Sequence, residues 1–189
     1  MTIWNIARAC KGHLAVPAGK HTGTCPAAGM AVIRGYSGKE AAGIVIDSRK
    51  VEPGDIFVAI RGERVDGHQF IREVFDKGAI AVGCEEEPEE LPGPCIRVED
   101  SLAALRQIAA FYREQMPIPI VGITGSVGKT STKEFVASVL AQKYKTHKTQ
   151  GNFNNEIGVP LTLLAMPEDA EAAVVEMGIN HFGEMHRLS

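Results

Sequence analysis

The stretch Pro119-Ile120-Val121-Gly122-Ile123-Thr124-Gly125-Ser126-Val127-Gly128-Lys129-Thr130-Ser131-Thr132 limits what this chain can fold into more than any other. A short apolar run enters a glycine-rich turn, and the turn opens a segment with helical patterning. Gly125 and Gly128 let the backbone curl so that successive N–H groups face one anion. The helix that follows adds the positive end of its dipole. Thr124, Gly125, Ser126, Val127, Gly128, Lys129, Thr130 and Ser131 therefore read as a phosphate loop for a nucleotide, with Lys129 as a mobile charge for the outer phosphates. Thr130 places a hydroxyl where a nucleotide-bound Mg2+ would sit, because that ion takes hard oxygen ligands.

The spacing departs from the common G-x-x-x-x-G-K-[ST] loop, which needs glycine where this chain has Ile123. A bare G-x-x-G-K-T marks an ordinary turn as readily as a nucleotide site, so the context carries the reading. Five of the seven residues from Ile118 to Thr124 suit a buried strand. Phe135, Val136, Val139 and Leu140 recur at helical spacing between Lys129 and Gln142.

The rest of the chain is compatible with this. Its 189 residues suffice for one large or two small domains, and 44% hydrophobic with 23% charged residues is the composition of a folded globular protein. A net charge of -3 without a long basic run argues against nucleic acid as a partner. Cys10, Cys25, Cys84 and Cys95 form no C-x-x-C pair, which argues against a zinc knuckle or redox motif and leads us to expect reduced, structural thiols. No signal-peptide core is present, and no apolar run approaches the ~18 residues of a membrane span. We therefore expect no membrane insertion and a cytoplasmic location.

Read in order, Thr2 caps a short helix with Ile3, Ile6, Ala7 and Cys10 on one face. Val16 to Gly43 is rich in glycine and small residues and reads as a loop-rich insert. Strands are expected at Ile44–Ile46, Ile56–Ile60, Ala79–Gly83 and Cys95–Val98, with a helix at Gln69–Lys77 ended by Gly78. The acidic, proline-broken run from Glu85 to Pro94 reads as surface. Asp100 or Ser101 caps a helix carrying Leu102, Leu105, Ile108 and Tyr112. Beyond the loop, a strand at Tyr144–Thr149, a short helix at Leu161–Met166 and a strand at Ala172–Gly178 complete an alternation that points to a mostly parallel sheet. The fold class expected is α/β: a small mixed α/β N-terminal domain over 1–99, then the start of a P-loop ATPase domain over 100–189.

Glu176 ends the last strand, at the ligand-binding edge of an open α/β sheet, where a carboxylate binds Mg2+ with Thr130 or else pairs with a nearby Lys or Arg. Asn152, Asn154 and Asn155 stand in a glycine-bounded loop, where their amides either bind a substrate or make Asx turns. His181 and His186 are five residues apart, about 140° around a helix, which argues against a two-histidine metal site. No Ser-His-Asp set or glycosidase carboxylate pair is recognisable.

Asp47-Ser48-Arg49-Lys50-Val51 with Pro53 to Ala59, Asp66-Gly67-His68-Gln69-Phe70, the phosphate loop, Gly151 to Pro160, and Glu176 to His181 with Gly183-Glu184 together resemble the Mur ligase family. These are ATP-dependent enzymes that extend the peptide of peptidoglycan precursors. The resemblance covers positions 44 to 189. It implies three domains, of which this chain supplies the first and the opening of the second, so that a fragment with no ligase activity of its own is expected. It further implies that ATP phosphorylates the carboxylate of UDP-N-acetylmuramoyl-tripeptide and that D-alanyl-D-alanine attacks the acyl phosphate. By the same resemblance, Ser48, Arg49, Asp66 and His68 bind the uridine nucleotide substrate, and Lys129, Glu176 and His181 serve the reaction in a full-length monomer. By spacing alone Asp47-Ser48-Arg49 is a polar turn. A sibling ligase adding the third stem residue and a non-catalytic P-loop module are the alternatives. The Asn152-Phe153-Asn154-Asn155 loop favours the dipeptide ligase, and the module would leave the N-terminal domain unexplained.

Overall fold

A computed structural model describes residues 1–17, 38–62, 64–88 and 90–179. Most of the glycine-rich insert expected over 16–43 lies outside these residues, as do His181 and His186. The chain divides into two compact units, Met1–Ile108 and Ala109–Ser189. That division falls inside a helix, later than the boundary at 99/100 that the sequence suggests.

The first unit is built on five strands, β1 (His13–Ala15), β2 (Ile44–Val45), β3 (Ile56–Val58), β4 (Ala81–Cys84) and β5 (Cys95–Arg97), in the order β1-β5-β4-β3-β2. All neighbours are parallel except β1, which runs antiparallel to β5. The sequence reading does not anticipate β1. Strands β3 and β4 are buried along their whole length, which is why they read as unbroken apolar runs. Phe57, Val74 and Val82 are fully buried in the core between the sheet and helix α2 (Ile71–Asp76). Gly78 ends that helix region at φ 98°, a conformation glycine takes without strain. Helix α1 (Ile3–Ala9) is capped by Thr2, whose hydroxyl accepts from the Asn5 N–H at 3.2 Å. Helix α3 (Ser101–Glu114) begins under the Asp100 carboxylate, which accepts from the N–H groups of Leu102 and Ala103.

The cysteines require a correction. Cys84 and Cys95 form a disulfide between β4 and β5. Val82 stands opposite Cys95 in this parallel pair, and residues two apart on a strand share a face, so Cys84 projects beside Cys95. Spacing along the chain could not reveal a pairing created by strand register. Cys10 is free and buried, and desolvation raises its thiol pKa.

In the second unit β6 (Ile120–Ile123), β7 (Thr146–Lys148) and β8 (Ala172–Glu176) form a parallel sheet in the order β6-β8-β7. Helix α4 (Lys129–Leu140) follows β6, and α5 (Gly158–Leu164) lies between β7 and β8 in the chain. Only β8 is buried throughout. Strand β6, expected to be buried, is half open: among the described residues it pairs with β8 alone, and Val121 is exposed. Helix α4 also departs from expectation. It buries Lys133 and Ala137, while Phe135 and Val139 are 72% and 70% exposed. Two residues along a helix turn about 200°, so a face that buries Lys133 and Ala137 must turn Phe135 and Val139 outward. Met116, Met166, Ala170 and Ala173 make a small core, and the Tyr112 hydroxyl donates to the Met166 carbonyl at 2.7 Å.

Gly158 admits no side chain, because a Cβ there would lie 2.4 Å from the backbone of Phe153. An exposed helical Gly→Ala change would gain stability, so the sign of Gly158→Ala is diagnostic. We expect it to destabilise by about 1–3 kcal/mol, in the range of overpacked sites, measured by chemical denaturation.

Candidate functional site

The turn from β6 into α4 has the backbone the sequence requires. Gly125 and Gly128 have φ of 145° and 76°, and no atom lies within 4 Å of a Cβ built on Gly128. Conformation, not space, therefore demands glycine at 128. Gly128 also sits at the N-cap of α4, where no side chain satisfies the first N–H groups, so the helix end is open to an anion. Ser126 and Val127 are exposed, with Val127 89% accessible at the tip. The Lys129 ammonium donates to the Gly125 carbonyl at 2.8 Å across the loop.

Glu176 lies across from this turn. It is 2% exposed at the C-terminal end of β8. Its N–H donates to the buried Thr149 hydroxyl at 2.9 Å. Carboxylate Oε1 accepts from the Thr130 hydroxyl at 3.2 Å and from the Asn154 side-chain amide at 2.8 Å. Oε2 is buried without a hydrogen-bond partner, and Lys133 Nζ stands 3.6 Å away. The sequence reading offered Glu176 either a magnesium site with Thr130 or a salt bridge, and both sets of neighbours are present. A buried carboxylate oxygen lacking a donor, beside a threonine hydroxyl, is a donor set suited to a hard cation.

The asparagines separate. Asn154 is turned onto Glu176. Asn155 Oδ1 accepts from the N–H groups of Ile157 and Gly158 and so starts α5, the Asx-turn outcome. The Asn152 carbonyl accepts from the Asn154 N–H at 2.8 Å, and no side-chain bond of Asn152 is seen among the described residues. Thr149 and Lys133 are contributors that sequence reasoning missed. A threonine ending a strand and a lysine on a helix carry no signal until the register places both beside Glu176.

In the first unit the candidate residues follow the C-terminal ends of the neighbouring strands β2 and β3, the usual ligand edge of a parallel sheet. Ser48 is buried, and its carbonyl accepts from Lys77 Nζ at 2.9 Å. Arg49 forms a two-pronged pair with Asp47, Nε to Oδ1 and Nη2 to Oδ2, both 2.8 Å. That guanidinium holds the Asp47 carboxyl down at about 2. The backbone N–H of His68, and then its ring, likewise lower Asp66 to about 2. His68 Nδ1 lies 2.6 Å from Asp66 Oδ1, and its Nε2 accepts from the Glu85 N–H at 3.0 Å. Both ring nitrogens are engaged, so His68 ties the loop to the end of β4. A cavity of about 860 Å3 opens nearby at the ends of β4 and β5, lined among others by Lys11, His13, Glu85 and Arg97. None of Ser48, Arg49, Asp66 or His68 lines it.

Thr149→Val keeps the side-chain shape but leaves the buried Glu176 N–H without an acceptor. We expect a loss of about 1–3 kcal/mol, the cost of an unsatisfied buried donor, measured by denaturant unfolding.

Comparison with known proteins fits both units. Residues 40–113 match the Mur ligase family, catalytic domain, and residues 123–189 match the Mur ligase middle domain. The UDP-N-acetylmuramoyl-tripeptide--D-alanyl-D-alanine ligase of Bacillus subtilis is 42% identical over 100% of this chain and 38% of its own length. The enzyme of that name from Synechocystis is 47% identical over 77% of this chain and 33% of its own. A crystal structure of MurF from Acinetobacter baumannii superposes with a TM-score of 0.81 at 32% identity, covering 99% of this chain and 38% of that one. MurF ligase from Thermotoga maritima in complex with ADP gives 0.72 at 36% identity, covering 79% of this chain and 34% of that one. The chain thus spans little more than a third of the length of these relatives. With the strand-loop-helix turn, the carboxylate at the end of β8 and both halves of the sequence in agreement, the chain belongs to the Mur ligase family.

Proposed function

We propose that the protein containing this chain is an ATP-dependent ligase that joins D-alanyl-D-alanine to UDP-N-acetylmuramoyl-tripeptide in peptidoglycan synthesis, acting as a cytoplasmic monomer. The observation that carries this reading is the Thr130–Glu176 contact across the open end of α4, in a chain whose relatives bear that enzyme's name. The substrate carboxylate attacks the terminal phosphorus of ATP, ADP leaves, and the dipeptide amine displaces phosphate from the acyl phosphate with loss of a proton.

Residues 100–189 take the nucleotide in this scheme. The N–H groups of Gly125 to Thr130 wrap its phosphates, and Lys129 leaves the Gly125 carbonyl to pair with a phosphate oxygen as charge builds there. Thr130 and Glu176 would hold Mg2+, which neutralises phosphate charge. Asn154 acts through Glu176, and Asn155 by fixing the start of α5. Residues 1–99 take the uridine nucleotide end of the substrate, with Ser48 and Arg49 on one loop and Asp66 and His68 on the next. Arg49 meets a diphosphate by exchanging the Asp47 carboxylate for phosphate oxygens. His68 contributes by holding Asp66 and its loop in place.

Two substitutions in the full-length protein test this. Lys129→Ala should lower ligation by about two to three orders of magnitude, as removal of one charge-stabilising group does, with the thermal midpoint unchanged. Near-normal amide formation from UDP-tripeptide, D-alanyl-D-alanine and ATP would refute the assignment. Glu176→Gln preserves shape but removes the anion, so activity should fall and the Mg2+ concentration for half-maximal rate should rise. An unaltered magnesium requirement would return Glu176 to a purely structural ion pair.

A further inference from the structure

Lys133 is the least expected residue of the second unit. Lysine is almost never fully buried unless paired, yet this one is 1% exposed on α4 and ranks with Phe57 among the largest fully buried side chains. Its Nζ stands between two carboxylates, 3.4 Å from Glu134 Oε1 and 3.6 Å from Glu176 Oε2. Glu134 Oε2 in turn meets Lys148 on β7, so charges alternate from Lys148 through Glu134 and Lys133 to Glu176. Neither distance to Lys133 is that of a tight hydrogen bond. The ammonium therefore acts on Glu176 mainly through charge, in a site where solvent screens little.

We propose that Lys133 is a positioning residue for the phosphate-loop site. Its buried ammonium sets the orientation of the Glu176 carboxylate, with Oε1 committed to Thr130 and Asn154 and Oε2 free of hydrogen bonds for a hard cation. Four observations converge on this assignment. Glu176 and Lys133 are buried together, 2% and 1% exposed, so solvent does not come between them. No other cation lies within 4 Å of Glu176 among the described residues. The hydrogen bonds that orient it all fall on Oε1 and the backbone. Lys133 is three residues beyond Thr130 on the same helix, so one rigid element sets the hydroxyl and the counter-charge together.

The inference rests on the reading of Glu176 as the magnesium carboxylate, and the experiment separates the two. Binding of a fluorescent ADP analogue to the full-length protein is titrated with Mg2+ for wild type, Lys133→Met, Glu176→Gln and the double variant. Lys133→Met should raise the Mg2+ needed for half-maximal binding about tenfold or more, as loss of an outer partner of a metal ligand does. It should add little in the Glu176→Gln background, because both changes act on one group. A salt bridge that only stabilises the fold would lower the melting temperature without moving the Mg2+ midpoint. That result, or full additivity with Glu176→Gln, would overturn the inference while leaving the magnesium role of Glu176 intact. A Glu176→Gln variant with a wild-type midpoint would overturn both. If Lys133→Met fails to fold, Lys133→Gln, which offers a neutral donor to Oε2, carries the same comparison.

Discussion

A carboxylate with almost no water around it organises the second half of this molecule. Glu176 sits at the end of β8, buried along its whole length, and the neighbouring elements each supply a partner: Thr149 an acceptor for its N–H, Thr130 and Asn154 donors, Lys133 a counter-charge. These partners come from the end of β7, the first turn of α4, the asparagine loop and the second turn of α4. Satisfying one buried anion therefore fixes the register of three segments against β8. The glycine turn before α4 and the carboxylate across from it are held by the same contacts.

The first unit solves a related problem at its surface. Its candidate residues lie on short loops after β2 and β3, and each loop is pinned by an acid that accepts from its own backbone two residues on, Asp47 from Arg49 and Asp66 from His68. The side chains then close the turns a second time, Arg49 on Asp47 and His68 on Asp66. The loops are thus shaped before any ligand arrives, and a ligand would exchange partners with groups already in place.

The backbone of the second unit was legible in the letters, because a strand, a glycine turn and a helix need only local signals. Thr2, Asp100, Gly78 and Glu176 all serve where spacing put them. What stayed hidden depends on register and on which side of a helix meets a sheet. Phe135 and Val139 looked like a core face, but α4 buries Lys133 and Ala137 instead. The Cys84–Cys95 bridge depends on the register of two consecutive strands, and the short antiparallel strand β1 on pairing with a segment about eighty residues later. At the site, Glu176 and Thr130 could be read from position. Lys133 and Thr149 could not, since a lone lysine reads as solvent-facing and a lone threonine as part of a strand. The asparagine loop was open between ligand binding and turn formation, and the structure divides it: Asn155 makes a turn, and Asn154 supports the carboxylate.

Val127 bears on how such a site can vary. It stands at the tip of the glycine turn with 89% of its surface accessible, and a loop of this backbone would meet an anion through main-chain N–H groups, which every residue but proline carries. The letter at this position is therefore nearly free to drift, while Gly125 and Gly128 on either side are fixed by backbone angles that other residues reach only with strain. Tolerance and intolerance alternate within a few residues. A search built on matching letters undervalues such a loop, whereas one that scores the dihedral pattern recognises it whatever side chain occupies the tip.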